Sequence, residues 1–187
     1  MNFSKENRPM KFLSMMALGL LAGLVGCSSH PPIQTASHVD LQRFMGDWYV
    51  IANIPTFIET GAFNAMESYR LDEDGTIGTT FTFREGGFDG KEKTYHPTGF
   101  VVDKASNAVW EMQFLWPFTA DYRIVFVDDD YSQTIIGRIK RDYVWIMART
   151  PTIPEDEYQG LLDMIAAQGY DITQVQKVPQ RWDHTTS

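Results

Sequence analysis

Apolar and polar positions alternate with a period of two through the middle of the chain, and the alternation restarts eight times between short polar turns. The first run, from Trp48 to Ile54, follows a short helical or turn segment and Gly46, where the backbone can bend without a Cβ clash. Pro55 breaks it, and 55–61 reads as a loop carrying Phe57 and Ile58 outward. Strands are predicted over 63–71 and 76–84, joined by Asp72-Glu73-Asp74-Gly75, whose Asp-Gly is a hairpin signal. After the glycine-rich turn 85–90 comes a strand over 91–103 that Pro97 interrupts. Further strands are predicted over 108–114, 121–128, 131–139 and 143–149, with the apolar connection Leu115-Trp116-Pro117-Phe118 between the first two of these. The period then changes. Tyr158, Leu161, Leu162, Ile165 and Ala166 recur at helical spacing behind Thr152-Ile153-Pro154-Glu155, a capping-box pattern, and Gly169 ends the run. A last extended segment, 171–178, suits the free edge of the first strand. The pattern predicts an all-β fold, an up-and-down antiparallel barrel or sandwich, with one C-terminal α-helix packed outside.

The first residues belong to a different pattern. Lys5, Arg8 and Lys11 precede an apolar run over 12–25 that stops at Leu24-Val25-Gly26-Cys27, as in a secretory signal. The run is too short to span a bilayer comfortably. The tetrapeptide resembles the lipobox of bacterial lipoproteins, in which the cysteine is acylated and becomes the mature N-terminus. The expected division is a lipoprotein signal peptide over 1–26, an acylated N-terminus and polar tether over 27–38, a folded domain over 39–178 and a tail over 179–187. Cys27 is the only cysteine, so no disulfide forms within the chain. Removing 1–26 takes three basic residues and Glu6 from a chain of formal charge −8, leaving −10. Such a charge disfavours nucleic acid and electrostatic docking on anionic lipid. Membrane attachment is expected through the acyl chains. Ser28 rather than aspartate follows the cysteine, which points to the outer membrane, facing the periplasm.

Three motifs then carry a family resemblance. Gly46-Asp47-Trp48-Tyr49 opens the first strand. Val127-Asp128-Asp129-Asp130-Tyr131 stands where lipocalins commonly have Thr-Asp-Tyr, with valine for threonine and two extra aspartates. Trp145-Ile146-Met147-Ala148-Arg149-Thr150-Pro151 is similar to the last-strand motif of apolipoprotein D and the bacterial outer-membrane lipocalins. With the lipobox, the chain resembles the bacterial lipoprotein lipocalins called Blc. The resemblance implies an eight-stranded lipocalin barrel in which Gly46, Trp48 and Arg149 are structural. In that family the arginine lies across the indole at the closed end and bonds carbonyls of the preceding helical turn, a contact worth ~1–2 kcal/mol when desolvated.

Chemistry beyond binding has little support in the residues. His30 and His38 fall in the tether, His184 in the tail and His96 alone in a strand, and no metal or serine-hydrolase pattern appears. The acidic turn 128–130 lacks the spaced ligands and glycine of a calcium loop. An acylated Cys27 is no nucleophile. No catalytic residue, metal or cofactor is expected. What remains is a pocket, since eight strands enclose room for one small ligand. With Trp48 inward, Val50, Ala52 and Ile54 share its face. Alternation adds Phe81, Phe83, Trp110, Met112, Phe114, Tyr122, Ile124, Phe126, Trp145 and Met147, and Glu67 has the parity of Ala65 and Tyr69. The expected ligand-binding residues are thus Ala52, Ile54, Glu67, Phe81, Phe83, Trp110, Met112, Phe114, Tyr122, Ile124, Trp145 and Met147. The family implies that such a barrel holds fatty acids (palmitate among them) or lysophospholipids for storage or transport in the envelope, often under stress. The alternative is an assembly lipoprotein with a filled barrel, acting through the apolar loops at Phe57 and Trp116, which also suit a homodimer face.

Overall fold

Asp40 opens the first helix. Its carboxylate accepts from the backbone N–H of Gln42 at 2.9 Å and of Arg43 at 3.2 Å, capping the one-turn helix α1 (Leu41–Phe44). Gly46 then turns at φ +94°, a region that penalises any Cβ, and sends the chain into the sheet. The computed structural model describes residues 31–182 together with Met1. Cys27, the signal segment, His30 and His184 lie outside the described residues.

The strands are β1 (Gly46–Ile54), β2 (Ala62–Leu71), β3 (Thr76–Glu85), β4 (Glu92–Tyr95), β5 (Thr98–Val101), β6 (Val109–Leu115), β7 (Phe118–Val127), β8 (Gln133–Gly137) and β9 (Val144–Ala148). Sequential neighbours pair antiparallel, and β9 returns to β1 from Tyr49↔Ala148 to Ile54↔Val144. The barrel is therefore closed and leaves few backbone groups unpaired at its edges. Both β4 and β5 pair with β3, so together they make one of eight barrel strands, split where Pro97 has no N–H to offer. The turns after β2, β5 and β7 gather with α1 at one end, the closed end. The loops 55–61, 86–91 and 138–143 and the β6–β7 hairpin form the other.

Helix α2 (Glu155–Ala167) lies outside the barrel. Tyr158, Leu161 and Ile165 are buried there against Ile51, Ile135, Val144 and Ile146, each burial worth about 1.5–3 kcal/mol. The expected capping box does not form. Pro154 occupies the cap position without a side-chain bond, and Thr150 instead donates to the Thr152 carbonyl. Glu155, Asp156 and Glu157 in the first turn oppose the positive end of the helix dipole. Gly169, at φ +87°, ends the helix. The closing strand β10 (Gln176–Lys177) pairs with β1 at Ala52↔Lys177, where β2 has left it.

The described parts of the expected tether and tail, 31–38 and 179–182, are bonded to the barrel. Ile33 is buried beneath α2, Gln34 N–H donates to Gln168, and Ala36 N–H donates to the Ile124 carbonyl. At the other end, β1 and β2 separate beyond Tyr49↔Met66. The Gln180 amide fills the gap by donating to the Val50 carbonyl at 2.8 Å and the Ala65 carbonyl at 3.1 Å. Asn64, at φ 49°, exchanges two bonds with the Arg181 backbone.

Candidate functional site

The closed end of the barrel is a plug built on α1 and Arg149. The Arg149 guanidinium carbon lies 3.8 Å from the Trp48 ring centroid. Nη2 donates to the carbonyls of Arg43, Phe44 and Met45, Nη1 to that of Asp47, and Nε to that of Tyr131. Burial lowers the Arg149 pKa, partly offset by nearby Asp47, and a guanidinium remains charged regardless. Trp48 Nε1 donates to the Phe44 carbonyl at 2.8 Å. The Phe44 ring meets Trp110 edge-on at 5.6 Å, and Trp110 stacks on Tyr122 at 5.4 Å. Trp48 and Trp110 are fully buried, so this end is filled.

Above the plug the interior turns polar at one spot. Tyr69 donates to Glu67 Oε2, and the Tyr69 and Tyr122 hydroxyls are 2.5 Å apart. Glu67 faces Trp48 on β1 and Phe81 on β3. Burial, with a smaller contribution from the charge of Glu59, pushes the Glu67 carboxyl up to about 8. Tyr122 is raised well above its ordinary range for the same reason, burial first and Glu67 second. Glu67 and Trp145 keep 9 % of their surface exposed although both face inward. Towards the mouth, Phe83 stacks on Tyr95 at 6.2 Å, with Phe81 5.3 Å from Phe83.

A second buried carboxylate enters from the β1–β2 loop. Glu59 accepts from Trp145 Nε1 at 3.1 Å, Asn53 Nδ2 at 3.1 Å and the Thr56 N–H at 3.2 Å. Burial raises its pKa, and these donors oppose the rise. The barrel interior is thus aromatic, with two buried acids and no buried base among the described residues, and it is filled at the α1 end.

A closed eight-strand barrel with this plug is matched by a family model for the lipocalin-like domain over residues 39–180. The chain belongs to the lipocalin family. It is 30% identical over 157 residues to temperature-induced lipocalin-1 of Arabidopsis thaliana, covering 79% of this chain and 83% of the plant protein. It is 29% identical over 175 residues to the outer membrane lipoprotein Blc of Citrobacter freundii, covering 91% and 98%. Insecticyanin from the tobacco hornworm Manduca sexta shares the fold at a TM-score of 0.65 and 13% identity, covering 82% of this chain and 86% of that one. Membership implies a small hydrophobic ligand, held by a carrier.

Of the residues expected to line this lipocalin's pocket, Phe81, Phe83, Trp110, Met112, Tyr122, Ile124, Trp145 and Met147 lie in the interior cluster, and Glu67 is buried among them. Ala52 and Ile54 do not. A register shift between Val50 and Ala52 inserts one residue into β1, and both side chains pack beneath α2. Asn53, opposite Trp145, takes the inward place. The same device between Ile124 and Phe126 packs Phe126 against the outer cluster. Phe114 sits past a shift between Met112 and Leu115 and is 53% exposed on the flared β6–β7 hairpin.

Sequence reading did not nominate Glu59, Asn53 or Tyr95. Tyr95 carries an alternation signal within its strand, whereas nothing in Thr56-Phe57-Ile58-Glu59 indicates that the glutamate folds inward. Asp128 spends its carboxylate on the Ser132 and Gln133 N–H groups and the Ser132 hydroxyl, holding the turn that sets Tyr131 at φ 58°. No group of ligating side chains suited to a metal occurs among the described residues. A groove of about 630 Å³ lies outside the barrel, between β2, β3 and the C-terminal residues, lined by Asn64, Arg84, Asp89, Glu92 and Arg181 among others. Its ion pairs, Arg84–Glu92 and Arg181–Asp89, are solvent-exposed and screened.

Proposed function

We propose that this lipocalin holds one single-chain lipid, a fatty acid or a lysophospholipid, in its barrel and stores or transports it in the cell envelope. Attachment to the outer membrane is through acyl chains on Cys27. Among the described residues no helix is long and apolar enough to cross a membrane, and the Citrobacter relative is named an outer membrane lipoprotein. The plant relative's name, temperature-induced lipocalin, supports a role under stress.

The observation that carries the reading is the apolar, aromatic interior of the barrel above the plug, built from Phe81, Phe83, Tyr95, Met147 and Trp145. Each methylene buried there gains about 0.8 kcal/mol, so a long acyl chain gains on the order of 10 kcal/mol before costs. Association and ordering cost several to more than ten, so affinity in the micromolar range or somewhat better is expected. Extraction of the chain from residue 27 onward, with Cys27→Ser and no detergent, should release lipid at about one molecule per barrel or per dimer by mass spectrometry. Lipid-free extracts of protein purified from lipid-replete cells would oppose the reading. They would favour an assembly role for the exposed mouth residues Phe57, Leu115, Trp116 and Phe118, which also suit a homodimer face.

A further inference from the structure

Among the described residues the barrel holds no buried cation to meet a buried anion. Its buried polar and charged residues are Asn53, Glu59, Glu67, Thr79 and Thr134. The two acids differ in how they are satisfied. Glu59 takes donors from Asn53, Thr56 and Trp145, and both its oxygens are engaged. Glu67 has one donor, the Tyr69 hydroxyl, on Oε2. Among the described residues its Oε1 accepts no hydrogen bond, although the side chain is more than nine-tenths buried. The groups around it are Tyr69 on its own strand, Tyr122 from β7, Glu59 from the loop above, and the uncharged rings of Trp48 and Phe81 opposite. An oxygen with no protein donor, set among apolar rings, favours any guest that brings a donor to it. A guest ending in carboxylate is an anion that no buried cation meets among the described residues, so it must take up a proton before it is buried.

We propose that Glu67, held by Tyr69 and next to Tyr122, makes the barrel select single-chain guests with an amine or hydroxyl head over guests ending in a free carboxylate. The inference deepens the lipid-binding reading and rests on it. A hydroxyl head donates its O–H to Glu67 Oε1 with no change of charge. An ammonium head donates N–H to the same oxygen, and the Glu67 proton leaves to solvent, so the buried pair is net neutral. A carboxylate head finds no buried cation among the described residues, and enters as the neutral acid after taking a proton from water.

The test uses three probes of equal chain length, dodecylamine, 1-dodecanol and dodecanoate, each kept below its micellar concentration near neutral pH. Titration followed by tryptophan fluorescence should give dissociation constants for the amine and the alcohol about tenfold below that of dodecanoate, the effect of one charge-assisted or otherwise missing hydrogen bond. Glu67→Gln keeps an acceptor oxygen but cannot ionise. It should weaken the amine about tenfold and the alcohol by much less, with an unchanged far-ultraviolet circular dichroism spectrum showing that the variant is folded. Equal binding of all three probes, or a Glu67→Gln effect that shifts all three together, overturns the inference alone. Saturation by none of them overturns the lipid-binding reading and the inference with it.

Discussion

Arg149 serves five carbonyls and one indole from a single side chain. Lysine keeps the charge but offers three donors on one nitrogen, and cannot lie flat on Trp48 while reaching from Arg43 to Asp47. Arg149→Lys is expected to destabilise the fold by about 1–2 kcal/mol, read as a lower denaturant midpoint with unchanged slope. Glu67 gives a prediction of a different kind. Its folded pKa of about 8 lies above the ordinary carboxylate value of 4.5. Between those values the folded protein holds a proton that the unfolded chain has released. The stability this confers is full below pH 4.5 and is lost as pH rises through about 8. Glu59 is raised in the same direction and adds to the slope. Glu67→Gln should therefore flatten the fall in melting temperature between about pH 5 and about pH 9. An unchanged slope would place the ionisation elsewhere. Glu67 itself was legible from its parity with Ala65 and Tyr69, but its partners were not. Tyr122 is 53 residues from Tyr69 in the chain, and only barrel closure brings their two hydroxyls together.

The strands show where period-two reading works and where it stops. On β3 the alternation runs unbroken and Ile77, Thr79, Phe81 and Phe83 all turn inward. On β1 it holds through Trp48 and Val50 and then reverses, because a bulge is a backbone event that no side-chain pattern announces. Ala52 and Ile54 are apolar on either face, since the outside of β1 is covered by α2, so composition gave no warning. Pro97 was legible for the opposite reason, its missing N–H being visible in the residue name. Helix α2 was legible from its spacing and its terminal glycine, while its start was not, the capping-box residues being used elsewhere. Ile165 is fully buried between helix and barrel. Ile165→Ala is expected to cost about 2–5 kcal/mol, measured by chemical denaturation. Ligand binding should survive it wherever the variant is folded, because Ile165 touches the outer cluster and not the chamber.

The molecule as a whole is asymmetric along the barrel axis. One end is sealed by Arg149, Trp48 and Phe44, and the other exposes Phe57, Trp116 and Phe118 around the entrance. Entry of a guest is expected from the second end, with Trp145 and Trp110 in the interior cluster as reporters. The direct test is quenching of tryptophan fluorescence by a lysophospholipid with a brominated chain, in a Trp116→Phe variant so that the exposed mouth residue does not report. The account predicts saturable quenching at about one lipid per barrel, with a micromolar or lower dissociation constant and loss of much of the signal when Trp145 is also replaced by phenylalanine. Quenching that rises without saturation, or none at all, would contradict a lipid held inside the barrel.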